Sequence, residues 1–230
     1  MKMTSKLIAA AMLAGTFSVA QAAPMDVFDL KTDSGADVFT SAPGEGSYYD
    51  SNASYAQLTD TDGDTDSAGA FLLFEFAGFA NVNNFGIYNL NDSSQTLQVF
   101  SGMDSPDDNE NSKVNFDLGA GTAQTRYGTA NIGSTFGFYL QRGDTKFYSD
   151  ADLNGGVDMA KIFDVTESFN SDFSNSSLIV AFEDLIDGDF DYNDLIVGIS
   201  DVKAVPEPGT LALFGLGLLG LGMTRGRKSA

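Results

Sequence analysis

The chain has 230 residues, with 32 acidic and 12 basic side chains and no Cys, His or Trp. The absence of His and Cys excludes imidazole- and thiolate-based nucleophiles, thiolate zinc sites, iron–sulfur clusters and disulfides. The net charge of −20 opposes binding to nucleic acid and adsorption to anionic lipid. Hard cations bound through oxygen remain as natural partners.

The first 22 residues have the three-part order of a secretory signal. Lys2 and Lys6 precede an apolar run, and Ala20 and Ala22 supply the small residues before a cleavage point that follows Ala22. The sequence therefore predicts export with the help of signal peptidase. A buried N-terminal helix is the alternative interpretation.

Residues 23–204 are expected to form one all-β domain, a single jelly-roll-like β-sandwich. Short apolar or alternating segments separated by Gly, Asn, Asp and Ser predict strands at 71–76, 85–88, 96–100, 113–118, 136–140, 177–182 and 194–199. This stretch holds 31 acidic and 7 basic side chains, and Asp outnumbers Glu by 26 to 6 in the whole chain. Such a preference for Asp is typical of tight turns and of chelation by short side chains.

The first of three acidic clusters lies at residues 60–66. Its aspartates stand at alternate positions, as the first ligands of a calcium loop do: Asp60, Asp62, Asp64 and Asp66. Thr65 and Phe71 replace the Gly and Glu that an EF-hand requires. Ion binding and a solvated hairpin tip are equal alternatives here.

The second cluster follows the pattern D-x-D-x-N-G and adds a later aspartate; its members are Asp150, Asp152, Asn154 and Asp158. Lys161 stands where an EF-hand has Glu. A β-turn built on Asn154-Gly155 explains the pattern without an ion, and this is the favoured interpretation of the cluster in isolation.

The third cluster is the principal candidate for a metal site. Seven oxygen-bearing side chains lie within twelve residues between two apolar segments: Glu183, Asp184, Asp187, Asp189, Asp191, Asn193 and Asp194. So many carboxylates repel one another unless cations or water screen them. Ca²⁺ suits the set, because it accepts six to eight oxygens in a flexible geometry.

The second and third clusters also carry a family resemblance. Residues 147–150 with Asp158, then Phe182-Glu183-Asp184-Leu185 and Asp191-Tyr192-Asn193-Asp194-Leu195, resemble the domain-of-unknown-function 4114 family over about 118–200. The family usually has His after the aspartate matched by Asp158, whereas this chain has Met159. The resemblance implies an extracellular or surface protein of bacteria and no particular activity.

The C-terminus has its own ordered signal. Val205-Pro206-Glu207-Pro208 precedes a Gly/Leu-rich apolar segment at 209–223, and Arg225, Arg227 and Lys228 follow. A helix of that length spans about 22 Å, short of a hydrocarbon core of about 30 Å, which suits transient anchoring in the inner membrane. An ordinary C-terminal anchor would be longer.

This tail, residues 205–230, resembles the PEP-CTERM sorting signal of Gram-negative bacteria. The resemblance implies processing by an exosortase. It also implies release or attachment at the outer surface or in the extracellular matrix, often alongside exopolysaccharide.

The leading functional hypothesis is a non-enzymatic surface or matrix protein whose acidic β-sandwich is stabilised by structural Ca²⁺. One alternative is a carbohydrate-binding module associated with exopolysaccharide, with Tyr48, Tyr49 and Tyr55 as exposed stacking residues. A remote alternative is a glycoside hydrolase that uses two carboxylates.

Overall fold

A computed structural model of the protein describes residues 24–60, 63, 65–74, 82–104 and 111–206. The predicted signal peptide and the sorting tail from Glu207 onward lie outside the described residues. No helix of the described part is long and apolar enough to cross a membrane.

The described chain consists of antiparallel strands and three single-turn 3₁₀ helices, which confirms the all-β class. The strands are β1 Ala53–Leu58, β2 Thr65–Phe74, β3 Asn83–Asn89, β4 Asp92–Phe100, β5 Asn111–Asp117, β6 Thr122–Thr125, β7 Gly128–Asn131, β8 Thr135–Arg142, β9 Thr145–Tyr148, β10 Ala160–Asp164, β11 Leu178–Phe182, β12 Leu195–Ile199 and β13 Val202–Pro206. The 3₁₀ helices are Val27–Asp29, Ala151–Asn154 and Ser171–Phe173.

The strands form two antiparallel sheets with the main core between them. One sheet has the order β13-β1-β8-β3-β4, with β9 also paired to β8, and the other has the order β10-β11-β12-β2-β5-β6-β7. Strand β5 alternates perfectly, because Ser112, Val114 and Phe116 are buried and their neighbours are exposed. Phe85, Phe138 and Phe182 bring rings from both sheets into contact in this core.

Strands β11 and β12 are buried along their whole length. Their second face is covered by the N-terminal segment, where Val27, Leu30 and Phe39 pack with Phe173 and Ile196 in a second apolar cluster. Burial on both faces explains why these two strands are continuous apolar runs in the sequence and do not alternate.

Reciprocal Tyr–Gly pairs join β3 to β8. Gly86 faces Tyr139 and Tyr88 faces Gly137 across the strand pair. A Cβ atom on either glycine would overlap the tyrosine ring opposite. The two rings, with Tyr55, form a third buried cluster. Tyr55 is therefore not available for stacking on a sugar, and its predicted exposure is wrong.

The order of the strands places the chain's exit next to the longest acidic loop. Residues 183–194 connect the end of β11 to the start of β12, and we call this end of the sandwich the acidic end. Strand β12 runs away from it, Ser200 and Asp201 turn the chain, and β13 returns to it. Strand β13 includes Val205 and Pro206, which pair with Tyr55 and Ala53. The folded body therefore extends two residues beyond the predicted boundary at 204.

Candidate metal centre

The loop 183–194 is held at both ends by β-sheet hydrogen bonding. Phe182 and Leu195 are directly paired across β11 and β12, and the amide of Glu183 donates to Met159 O at 3.0 Å. The loop begins with a tight turn in which Gly188 N donates to Leu185 O at 3.1 Å. Phe190 and Tyr192 both adopt left-handed backbone conformations, with φ of 56°. This irregular path brings carboxylates from several loop positions toward Glu183.

Five of the predicted ligands meet in two groups that share Glu183. In each group, carboxylate oxygens lie within 4.8 Å of one another. The first group is Glu183, Asp184 and Asp194, and the second is Glu183, Asp189 and Asp191. Glu183 and Asp184 are each only 2% exposed. Asp187 belongs to neither group.

The hydrogen bonds of the cluster leave one buried carboxylate oxygen without a partner. Asp184 accepts from Asn83 Nδ2 at 3.0 Å and from Arg142 at 3.2 Å, and Asp194 Oδ2 accepts from Asp184 N at 2.8 Å. Glu183 Oε2 is buried and has no hydrogen-bond partner. A buried anionic oxygen in this state is costly unless a proton or a cation neutralises it.

The electrostatics of the loop favour such neutralisation. Burial raises the pKa of Glu183 to about 8, and the charge of Asp194 adds to the rise. Burial likewise raises the pKa of Asp194 to about 6, and burial followed by the charge of Asp189 raises the pKa of Asp191. Arg142 supplies a positive charge to Asp184. A divalent cation among these oxygens would reverse the pKa shifts.

Asn193 has a structural role in this arrangement. Its side chain is 2% exposed, and its Nδ2 donates to Lys31 O at 2.7 Å and to Asp191 at 2.6 Å. Tyr192 OH donates to Asp158 O at 3.1 Å. The Asn193 contact holds the loop against the N-terminal segment, and the Tyr192 contact holds it against the turn before β10.

The residues of the second predicted cluster cap and close a turn. Asp150 caps the 3₁₀ helix Ala151–Asn154 by accepting from Asp152 N at 2.9 Å, and it also accepts from Tyr55 OH. Asn154 donates to Tyr148 O and Val157 O, and Asp158 pairs with Lys161. Within the described residues, no metal-like group of three acids forms here. Lys161 provides the neutralising charge that an ion would otherwise supply.

The first predicted cluster lies partly outside the described residues, because Asp62 and Asp64 are not described. Asp66 accepts from Ser67 N at 2.6 Å through Oδ1, while its Oδ2 is buried without a partner. Asp60 and Asp66 are therefore the two members of this cluster whose positions are known, and its ion binding stays a prediction.

Two contributors to the third cluster were not identified from the sequence: Asn83 and Arg142 lie 101 and 42 residues from Asp184, which they contact. The scarcity of basic residues in the body could have pointed to Arg142, since few basic side chains were available to pair with a buried acid.

Among the tyrosines considered for sugar binding, Tyr49 is 53% exposed. Tyr48 packs on Phe173 and donates to Glu45.

Comparison with known proteins identifies the C-terminal segment. Residues 204–228 match the PEP-CTERM protein-sorting motif. No curated protein and no solved structure matches the chain. The likeness of residues 118–200 to domain-of-unknown-function 4114 stays a prediction. The matched motif supports a PEP-CTERM protein, which is exported and directed to an exosortase for membrane-associated sorting.

Proposed function

We propose that this exported protein is a non-enzymatic component of the outer surface or extracellular matrix, and that Ca²⁺ bound at Glu183 stabilises its acidic sandwich. The observation that carries the proposal is the buried Glu183 Oε2, which has no hydrogen-bond partner and belongs to the one side chain that both acidic groups share. Asp184, Asp189, Asp191 and Asp194 complete the oxygen set.

The chemistry of these ligands favours Ca²⁺ over transition metals. The set consists of hard oxygens, and its ligands come from both strand ends and from the loop between them. Ca²⁺ accepts such an irregular shell, whereas Mg²⁺ demands near-octahedral order. An ion that neutralises the cluster would stabilise the junction between β11 and β12 at the acidic end. Its role is therefore structural.

Isothermal titration calorimetry of the chain from Ala23 to Ala230 tests this proposal. Ca²⁺ should bind the parent protein, and Glu183→Gln should weaken binding by about tenfold or more, since it removes one charged ligand from both groups. Asp172→Asn is the matched control, because Asp172 is an exposed acid in the 3₁₀ helix Ser171–Phe173. Absence of Ca²⁺ binding to the parent, or equal binding by Glu183→Gln, would overturn the proposal.

A second candidate function is binding of polysaccharide, favoured by a polar groove on the second sheet. The groove has a volume of about 580 Å³. Its lining includes hydroxyl and amide side chains from four neighbouring strands: Thr65, Ser67, Asn115, Thr122, Gln124 and Thr129. These groups can exchange hydrogen bonds with sugar hydroxyls. Retention on exopolysaccharide that is lost in Asn115→Ala with Gln124→Ala, but kept in Tyr49→Ala, would support this function.

A further inference from the structure

The folded body has very little chain between its last strand and the predicted membrane segment. Pro206 is paired with Ala53 at the end of β13, and the apolar run begins at Gly209. Three residue steps reach at most about 10 Å. A helix over 209–223, as the sequence predicts, would span about 22 Å and be shorter than the hydrocarbon core, so the residues that flank it would be drawn toward the headgroup layer. The end of the sandwich from which the tail leaves would therefore lie close to the bilayer in the anchored protein.

That end is the acidic end. Strand β13 runs antiparallel to β1, and β12 starts at the acidic loop and runs the opposite way to β13. Short contacts connect the exit point to the loop. Ser51, two residues before Ala53, donates to Ile162 O at 2.9 Å, and neighbouring Lys161 lies 5.1 Å from the ring centroid of Tyr192.

The acidic loop also exposes apolar side chains beside its carboxylates. Leu185, Ile186 and Phe190 are 41%, 44% and 39% exposed. They lie within six residues of one another on a loop that carries six acids. Without a bound cation, an anionic lipid surface would repel this acidic loop. A divalent cation held by the loop can also bind lipid phosphates and so join the loop to the lipid surface. The exposed apolar side chains would then gain from entering the interfacial layer.

We propose that the acidic loop is a cation-dependent membrane-docking surface, in which Ca²⁺ at the loop bridges to phospholipid phosphates and Leu185, Ile186 and Phe190 enter the interface while the tail anchors the chain. This inference rests on the proposed Ca²⁺ site. It fixes the orientation of the body on the membrane, with the acidic end toward the lipid and the turn between β3 and β4 away from it.

Single-cysteine labelling tests the proposal, since the native chain contains no Cys. Ile186→Cys places an environment-sensitive fluorophore on the acidic loop, and Asn91→Cys places the same fluorophore on the exposed turn at the opposite end. Each labelled chain from Ala23 to Ala230 is reconstituted in vesicles of phosphatidylethanolamine and phosphatidylglycerol that contain lipids with a headgroup-level quencher. Both variants should first show the parent's thermal unfolding, which excludes misfolding as a cause.

In millimolar Ca²⁺ the label at 186 should be quenched several-fold more than the label at 91. EDTA should reduce this difference, because the short tail still keeps the acidic end near the bilayer but no cation then holds the loop against the lipid. Leu185→Ser combined with Phe190→Ser should reduce quenching at 186 while calorimetric Ca²⁺ binding is kept. Equal quenching at both positions, quenching unaffected by EDTA, or a label at 186 shielded by a second copy of the chain would overturn the docking proposal. If calorimetry still shows Ca²⁺ binding in that case, the proposed function stands; if it shows none, both fail.

Discussion

The carboxyl group of Glu183 occupies the space in which Gly188 would carry a side chain. A Cβ atom on Gly188 would lie 2.8 Å from Glu183 Cδ and 3.1 Å from Leu185 O. Because Glu183 is anchored at the end of β11 and Gly188 lies in the loop, this close approach determines how the loop folds over the buried carboxylate. Any larger residue at 188 must displace either the carboxylate or the turn.

Substitution Gly188→Ala is therefore expected to impair the candidate metal centre. The added methyl group should move Glu183 away from the other ligands and weaken Ca²⁺ binding by about tenfold or more in a calorimetric titration. Gly46→Ala is the matched control, because the nearest atom to its new Cβ, Tyr48 Oη, is 3.9 Å away. Unchanged Ca²⁺ affinity in Gly188→Ala would contradict the importance of this contact.

Calcium is expected to raise the melting temperature of the protein. A ligand that binds only the native state at a hundredfold excess over Kd adds about 2.7 kcal/mol to the free energy of unfolding. In a domain of this size that corresponds to about 5–10 °C. Differential scanning calorimetry with Ca²⁺ and with EDTA measures the shift, which Asp172→Asn should retain and Glu183→Gln should lose. Identical melting curves with Ca²⁺ and EDTA would argue against a stabilising ion.

In EDTA, the stability of the protein should fall as pH rises through the range in which Glu183 ionises. The pKa of Glu183 is raised to about 8 in the native state from its ordinary value of 4.5, so the native state binds more protons between these values. The resulting stabilisation is complete below about 4.5 and is lost as pH rises through about 8. Chemical denaturation across this range measures the effect.

The variant Glu183→Gln isolates this contribution, because glutamine has the shape of the protonated acid and does not ionise. In EDTA the variant should be more stable than the parent near pH 9 and similar to it near pH 4.5. If the difference in stability between parent and Glu183→Gln does not change with pH, Glu183 titrates normally.

Ca²⁺ binding near pH 7 should release protons from the cluster. The release is measured as a binding enthalpy that depends on the ionisation enthalpy of the buffer.

Loss of the Arg142 charge should destabilise the protein strongly in EDTA. The Asp184 side chain is 3% exposed and its ion pair with Arg142 spans 3.2 Å, so Arg142→Gln leaves a buried carboxylate without its cation. The expected loss is about 3–4 kcal/mol of unfolding free energy, in the lower part of the range for broken buried pairs. Ca²⁺ should restore part of this loss.

The surface pair Arg126–Asp104 provides the comparison, since the Arg126 side chain is 44% exposed. Arg126→Gln should cost less than about 1 kcal/mol. Equal losses for the two arginine variants in denaturant titrations would contradict a special role for Arg142.

All seven strands predicted from the sequence correspond to strands of the structure. They carry apolar runs or clear alternation, and burial on one or two faces imposes that pattern on the residues. Most of the missed strands are short, such as β6 and β7 with four residues each, or contain a charge, such as Lys161 in β10. Strand β1 was missed although it has six residues and no charge. Their pairing depends on neighbouring strands, which local composition does not encode.

The sequence by itself determined the all-β class, the C-terminal sorting motif and the position of the densest acidic loop, because each depends on residues that are close together along the chain. Only the tertiary structure decided which acids converge. Asp184 is paired with an arginine 42 residues away, and Lys161 is paired with Asp50 from the segment before β1. Only the tertiary structure, likewise, placed Pro206 at the same end as Glu183. Distances across a folded sandwich depend on strand order and register, whereas a linear pattern specifies only the neighbours along the chain.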